Sequence, residues 1–135
     1  MCILAVACGA RHSLFLTEEL GVWATGCNWH GQLGFTNECD IVYTPVHIPF
    51  FERQDVCCIA ASGNTSTAAT ISGELFVWGK CCPSADAPAY GRLDHPTPQK
   101  VKYRDHLLQK ITNSDAVNII RMSVSDGCIL FATRN

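Results

Sequence analysis

Charge is scarce in this chain. Only 16% of its 135 residues are Asp, Glu, Lys or Arg, and the net charge is −2. A general nucleic-acid surface needs a basic excess, and none is present. No apolar run reaches the 18 residues of a membrane span. The opening M-C-I-L-A-V-A-C is apolar, but it has no charged leader and is too short for a signal peptide. Carboxylates never come as a spaced pair suited to acid–base work. No G-x-S-x-G elbow occurs, so Ser13 beside His12 does not read as a nucleophile and its base, because neighbours on a strand face opposite ways. Nothing after G-C-N-W-H-G reads as a helix, which excludes a phosphate-cradling nucleotide fingerprint. C-x-x-C is also missing. The nine cysteines (Cys2, Cys8, Cys27, Cys39, Cys57, Cys58, Cys81, Cys82 and Cys128) are odd in number and include two adjacent pairs. Adjacent cysteines on a strand point to opposite faces and make poor joint ligands. They are expected to be reduced intracellular thiols acting as small hydrophobes. The sequence therefore predicts no catalytic site, no cofactor, no metal site and no obligatory disulfide.

What the chain does contain is a repeat. Gly26 and Gly79 are 53 residues apart, as are Pro45 and Pro98; Gly9 and Gly63 are 54 apart, and Trp23 and Trp78 are 55 apart. In each copy a small-residue stretch leads to Gly, and a short apolar run ends in Thr. A turn and an aromatic β-rich run follow, and a Gly- or Pro-rich loop closes on T-P-V or T-P-Q-K-V. Such runs, bounded by Gly, Pro and Asn, are strand and turn signals. About four strands per 54 residues is the signature of one propeller blade. Strands are predicted near 3–7, 13–17, 22–25, 56–61, 67–71, 74–78, 117–122 and 128–133, with a hairpin turn at Ser72-Gly73 and a short helix at 104–111. Trp23 and Trp78 are expected in the core at equivalent places of neighbouring sheets. Gly26, Gly31 and Gly34 are expected to serve tight turns, and Asn28 to bond its own backbone.

The strings G-A-R-H-S-L-F-L-T at 9–17, G-C-N-W-H-G-Q-L-G at 26–34 and T-I-S-G-E-L-F-V-W-G at 70–79 carry a family resemblance. The chain resembles the regulator of chromosome condensation repeat family, with G-Q-L-G after G-x-N-x-x as its most specific mark. The family pattern has Trp where Thr25 stands, and the second copy has only Gly91-Arg92-Leu93 near the place of G-Q-L-G. The family's His is present as His12, with Ser66 at its place in the second copy, and the resemblance implies that His12 is a hydrogen-bonded structural group. The resemblance implies an all-β fold, a partial β-propeller of four-stranded antiparallel blades holding about 2.5 blades of an expected seven. Repeat 1 is predicted over 3–55, repeat 2 over 56–110 and the start of repeat 3 over 111–135. A piece of this size is expected to be a fragment that needs neighbouring blades and self-associates without them.

That resemblance implies a protein–protein interaction scaffold that binds partners through its loops at 27–44 and 80–98. The candidate contacts are Trp29, His30 and Arg92. Trp29 sits in the loop N-W-H-G, where exposure would make it an anchor, since Trp is enriched at interface hot spots. Cys81 to Pro98 holds four prolines and is predicted to be an irregular surface loop. Lys100, Lys102 and Arg104 would share one face of an extended segment as a solvated stripe. Implied partners are the remaining blades and other proteins, a small GTPase or a ubiquitin-pathway component among them, at an intracellular location. The alternative is guanine-nucleotide exchange on a small Ran-type GTPase by a complete propeller.

Overall fold

The computed structural model describes residues 1–36, 39–80, 94–100, 118–125 and 128–134. Among the described residues ten strands form three antiparallel sheets. The first sheet has the order β1 (Ile3–Cys8), β2 (His12–Thr17), β3 (Gly21–Cys27), β4 (Ile41–His47). The second repeats it as β5 (Val56–Ser62), β6 (Thr65–Thr70), β7 (Leu75–Lys80), β8 (Asp94–Lys100). A hairpin of β9 (Asn118–Ser125) and β10 (Cys128–Arg134) follows. Strand β5 packs against β1 and β2, and β9 packs against β5 and β6, so successive blades lie side by side. No helix among the described residues is long and apolar enough to cross a membrane.

The repeat is tighter than the scattered landmarks suggest. His12 stands opposite Gly26 and Thr65 opposite Gly79, each position moving on by 53. The register slip after Ile3↔Thr17 recurs after Val56↔Thr70. The slip between Ala24 and Gly26 recurs between Val77 and Gly79. The blades therefore share their bulges as well as their strands. Gly26 and Gly79 mark the second of these bulges, inside β3 and β7, with φ of 110° and 86°. A side chain on Gly26 would collide with the Arg11 carbonyl, and one on Gly79 with the Asn64 carbonyl. Gly26 thus serves a bulge and a close backbone approach rather than a tight turn.

This register corrects two expectations. Thr65, not Ser66, occupies the place of His12, because the landmark glycine shifts by one place: Gly9 precedes the two-residue turn of the first blade, whereas Gly63 begins that of the second. The two tryptophans are not equivalent: Trp78 precedes Gly79 as Thr25 precedes Gly26, and Trp23 stands where Phe76 does. Trp78 is fully buried, whereas Trp23 is half-buried against His47, with ring centroids 5.6 Å apart. The turn glycine also moves, with Gly21 carrying φ 72° in the first blade and Gly73 φ 87° in the second. In the second turn the Thr70 carbonyl accepts from the Gly73 N–H at 3.0 Å, as the Ser72-Gly73 signal predicts.

The outer strand of each blade was absent from the expected strands. Ile41–Thr44, expected in a loop, belongs to β4, and 94–98, expected to be irregular, belongs to β8. Pro45 and Pro98 obscured them. Both lie on outer strands, beside the slip that leaves 43–45 opposite Thr25, and an edge or bulge position tolerates a missing N–H. Residues 81–93 and the helix expected at 104–111 lie outside the described residues.

The core lies between the first two sheets. Leu14, Leu16, Val22, Ala24 and Val42 come from blade 1, and Ala68, Phe76 and Trp78 from blade 2. Leu33, Ile48 and Phe51 enter from the connections. On β2 the buried residues His12, Leu14 and Leu16 alternate with half-buried Ser13 and Phe15, as the two-residue period of a strand requires. On β6 Ser66 through Thr70 are all buried, because that strand has a sheet on each side. Its small residues fit that double burial.

Candidate functional site

The loop between β3 and β4 is densely hydrogen-bonded. Asn28 organises it. The Asn28 N–H donates to the Asp40 carbonyl at 2.7 Å, and its own carbonyl accepts from the Gly31 N–H at 3.0 Å. Its side-chain oxygen accepts from the Leu33 N–H at 3.1 Å, and its amide donates to the Phe35 carbonyl at 3.0 Å. Asn28 therefore ties the backbone five and seven residues on, not only its own turn. Gly31 and Gly34 do serve turns, with φ of 73° and 82°. The Gly34 N–H closes the second turn on the Gly31 carbonyl at 3.0 Å.

This loop is docked on the next blade through Gln32, which is fully buried. Its carbonyl accepts from the Ser66 hydroxyl at 2.7 Å and from the Trp78 indole N–H at 2.9 Å. Its side-chain oxygen accepts from the His30 N–H at 2.8 Å, and its amide donates to the Asn64 side chain at 3.3 Å. A side chain on Gly34 would stand 3.0 Å from the Trp78 Nε1. Only glycine lets the loop backbone lie on that indole. Leu33 beside it enters the core. The G-Q-L-G string is thus an inter-blade latch in which each residue has a distinct contact.

Ser66 also accepts from the ring of His12, with Nε2 2.7 Å from its oxygen. Because Ser66 donates to Gln32, His12 must supply the proton in this contact, which fixes the neutral Nε2–H tautomer. Burial lowers the His12 pKa from 6.5 to about 4. The spacing is that of a nucleophile and its base, 54 positions apart in sequence. The chemistry is not: Ser66 has no exposed surface, its proton is committed to a carbonyl, and buried Nδ1 meets no orienting acid among the described residues. His12 is a structural group, as the family resemblance implies. Its partnership with Ser66 had no sequence signal, since it arises only when two blades pack. Ser13, the neighbour that invites a hydrolase reading, donates to the Cys8 sulfur at 3.7 Å instead.

Above this latch the loop presents Trp29, which is 60% exposed. His30 beside it is half-buried. Arg92, the third expected contact, lies outside the described residues, as do Lys102 and Arg104; Lys100 ends β8. Among the described cysteines Cys27 is buried, Cys57 and Cys58 are half-buried, and Cys2, Cys8 and Cys39 are exposed. Burial, with Cys58 alongside, raises the Cys57 thiol to about 11. No three His, Cys, Asp or Glu side chains gather as metal ligands among the described residues.

Known proteins are similar to this chain in sequence and fold. The family profile described as the regulator of chromosome condensation (RCC1) repeat matches residues 21–69, and a second profile of the same description matches residues 3–32. The RCC1 domain-containing protein RUG3, mitochondrial, of Arabidopsis thaliana is 40% identical over 77 residues, covering 57% of this chain and 17% of its own length. Protein RCC2 of Homo sapiens is 35% identical over 98 residues, covering 73% of this chain and 17% of its own. The crystal structure of Prp20p from Saccharomyces cerevisiae, reported with its binding properties to Gsp1p and histones, superposes with a TM-score of 0.70 at 29% identity. That match covers 97% of this chain and 30% of Prp20p. The chain thus spans less than a fifth of the curated relatives it matches. With its two blades in a common register, its G-Q-L-G latch and these matches, the chain belongs to the regulator of chromosome condensation repeat family.

Proposed function

We propose that this chain is a segment of a protein–protein interaction propeller, and that Trp29 anchors the partner. The observation that carries the reading is a large exposed indole on a loop fixed from below. Asn28 and Gln32 hold the loop backbone at five hydrogen bonds, and a sixth joins the Gln32 and Asn64 side chains. An aromatic anchor held still before binding loses little entropy on docking, which is what makes such residues hot spots. The reading assigns the chain no catalysis of its own. Its partners are other proteins, a small GTPase or a ubiquitin-pathway component among them, together with further blades of the same ring.

A photo-crosslinking residue at position 29 tests this by capturing whatever docks there. Trp29→Ala should then weaken the captured partner by about 2 kcal/mol or more, the hot-spot range. A Trp29→Ala protein that keeps its fold and every captured partner's affinity would end the anchor reading.

A second reading is guanine-nucleotide exchange on a small Ran-type GTPase by the complete propeller. It is supported by the likeness to Prp20p, whose structure was reported with binding to Gsp1p. Release of a fluorescent guanine nucleotide from such a GTPase, timed with and without the complete propeller, separates the readings. Acceleration supports exchange; binding without acceleration supports the scaffold.

A further inference from the structure

The opposite end of the blades carries different chemistry. Three connections meet there: the β2–β3 turn at 18–20, the segment 48–55 with its 3-10 turn Pro49–Phe51, and the β6–β7 turn at 71–74. They are joined to one another. A side chain on Gly21 would stand 2.9 Å from the Phe51 carbonyl, which places the first turn against the second connection. The Ile71 N–H donates to the Asp55 carbonyl at 2.8 Å, which ties the second to the third. Phe50 stacks edge-on against Phe51 and Phe76, with ring centroids 5.1 Å apart in each case.

On this frame Leu20, Phe50 and Ile71 are 48%, 42% and 63% exposed. Around them stand four exposed carboxylates, Glu18, Glu19, Glu52 and Asp55, against one exposed guanidinium, Arg53, among the described side chains. Apolar side chains kept in water at three joined turns make a patch, and patches rimmed by charge mark interaction sites. The sign of the rim selects the occupant, because complementary charge steers the right partner and repels the wrong one.

We propose that this end of the first two blades docks a basic amphipathic segment of a partner protein. The segment's apolar face covers Leu20, Phe50 and Ile71, and its Lys or Arg side chains meet Glu18, Glu19, Glu52 and Asp55. This surface lies at the other end of the strands from Trp29, so the proposal stands independently of the anchor reading.

The test uses the full chain and three fluorescently labelled helical peptides: a Leu/Lys amphipathic peptide, its Leu/Glu counterpart, and a Leu/Lys peptide of the same composition with scrambled periodicity. Fluorescence anisotropy should show binding of the first alone. The pair Glu18→Lys with Asp55→Lys should weaken it about tenfold or more and flatten its salt dependence. Leu20→Ser with Ile71→Ser should weaken it while leaving the salt dependence in place. Tyr43→Ala, at an exposed position on the outer strand β4, should leave this binding unchanged. Circular dichroism of each variant, with chemical-shift mapping of the bound wild-type chain, separates lost docking from lost fold. Equal binding of all three peptides, indifference to charge reversal, or shifts at Trp29 instead of at the three turns would overturn the proposal. So would sedimentation showing that Leu20→Ser with Ile71→Ser abolishes a dimer of the chain, since the patch would then belong to a second copy.

Discussion

The indole N–H of Trp78 lies 2.9 Å from the carbonyl of Gln32, 46 positions earlier and in the preceding blade. The contact closes a buried network of His12, Ser66, Gln32 and Trp78 that joins two sheets. It makes the placement of an exposed loop depend on the packing of its neighbour. Trp78→Phe keeps most of the ring's burial and removes the donor. It should cost about 1 kcal/mol, the net worth of one hydrogen bond. Trp78→Ala empties the site and should cost about 3–5 kcal/mol. Urea unfolding of the two variants measures both, and a Phe variant as unstable as the Ala variant would show that the hydrogen bond has no separate role.

Acid should loosen the latch. The folded His12 titrates at about 4 and the unfolded residue near 6.5, so the unfolded chain binds the extra proton between those values. The neutral ring therefore contributes stability fully above pH 6.5, and that contribution is lost as pH falls toward 4. The gap corresponds to about 3 kcal/mol. His12→Gln removes the titration. The difference in unfolding free energy between wild type and variant should shrink steadily from pH 7 to pH 4, whatever other groups do. A constant difference would place the His12 pKa near its ordinary value.

Gly34 should not tolerate a side chain. Its φ of 82° is strained for any other residue, and a methyl group would stand 3.0 Å from the Trp78 Nε1 and 3.2 Å from Ile48. Gly34→Ala should cost about 1–3 kcal/mol and shift the buried tryptophan's emission. Unfolding followed by fluorescence reads both.

Asn28 should control the loop without touching a partner. Asn28→Ala removes the side-chain bonds to the Leu33 N–H and the Phe35 carbonyl. The loss should be about 1–2 kcal/mol, with faster amide exchange in 28–36. Trp29→Ala, by contrast, should change stability by no more than about 0.5 kcal/mol, because the indole is mostly in water. Exchange measured by mass spectrometry on the two variants should separate a residue that builds the loop from one that the loop displays.

The thiols should divide by location. Near pH 8, alkylation should reach the exposed Cys2, Cys8 and Cys39 before the other described cysteines. Cys57, held near 11, should lag, because the thiolate is the reacting form. Peptide mapping over time gives the order, and early labelling of Cys57 would contradict its burial.

The sequence by itself determined the architecture. Alternation in H-S-L-F-L-T, the glycines at 26, 73 and 79, and the recurrence near 53 residues are local facts, and they suffice for strands, turns and a repeated blade. The family resemblance marked His12 as structural, and the loop N-W-H-G singled out Trp29. The outer strands were hidden because proline erases the local β signal, while a bulge on an edge strand tolerates it. The tryptophans misled because their spacing of 55 is close to the true 53, and an offset of two keeps a strand residue on the same face. Tertiary structure alone decided the rest. His12 meets Ser66, and Gln32 meets Trp78, only after two sheets close on each other, and no local pattern encodes contacts between residues about 50 positions apart. The patch of Leu20, Phe50 and Ile71 likewise exists only because three turns, each unremarkable alone, arrive at one end of the packed blades.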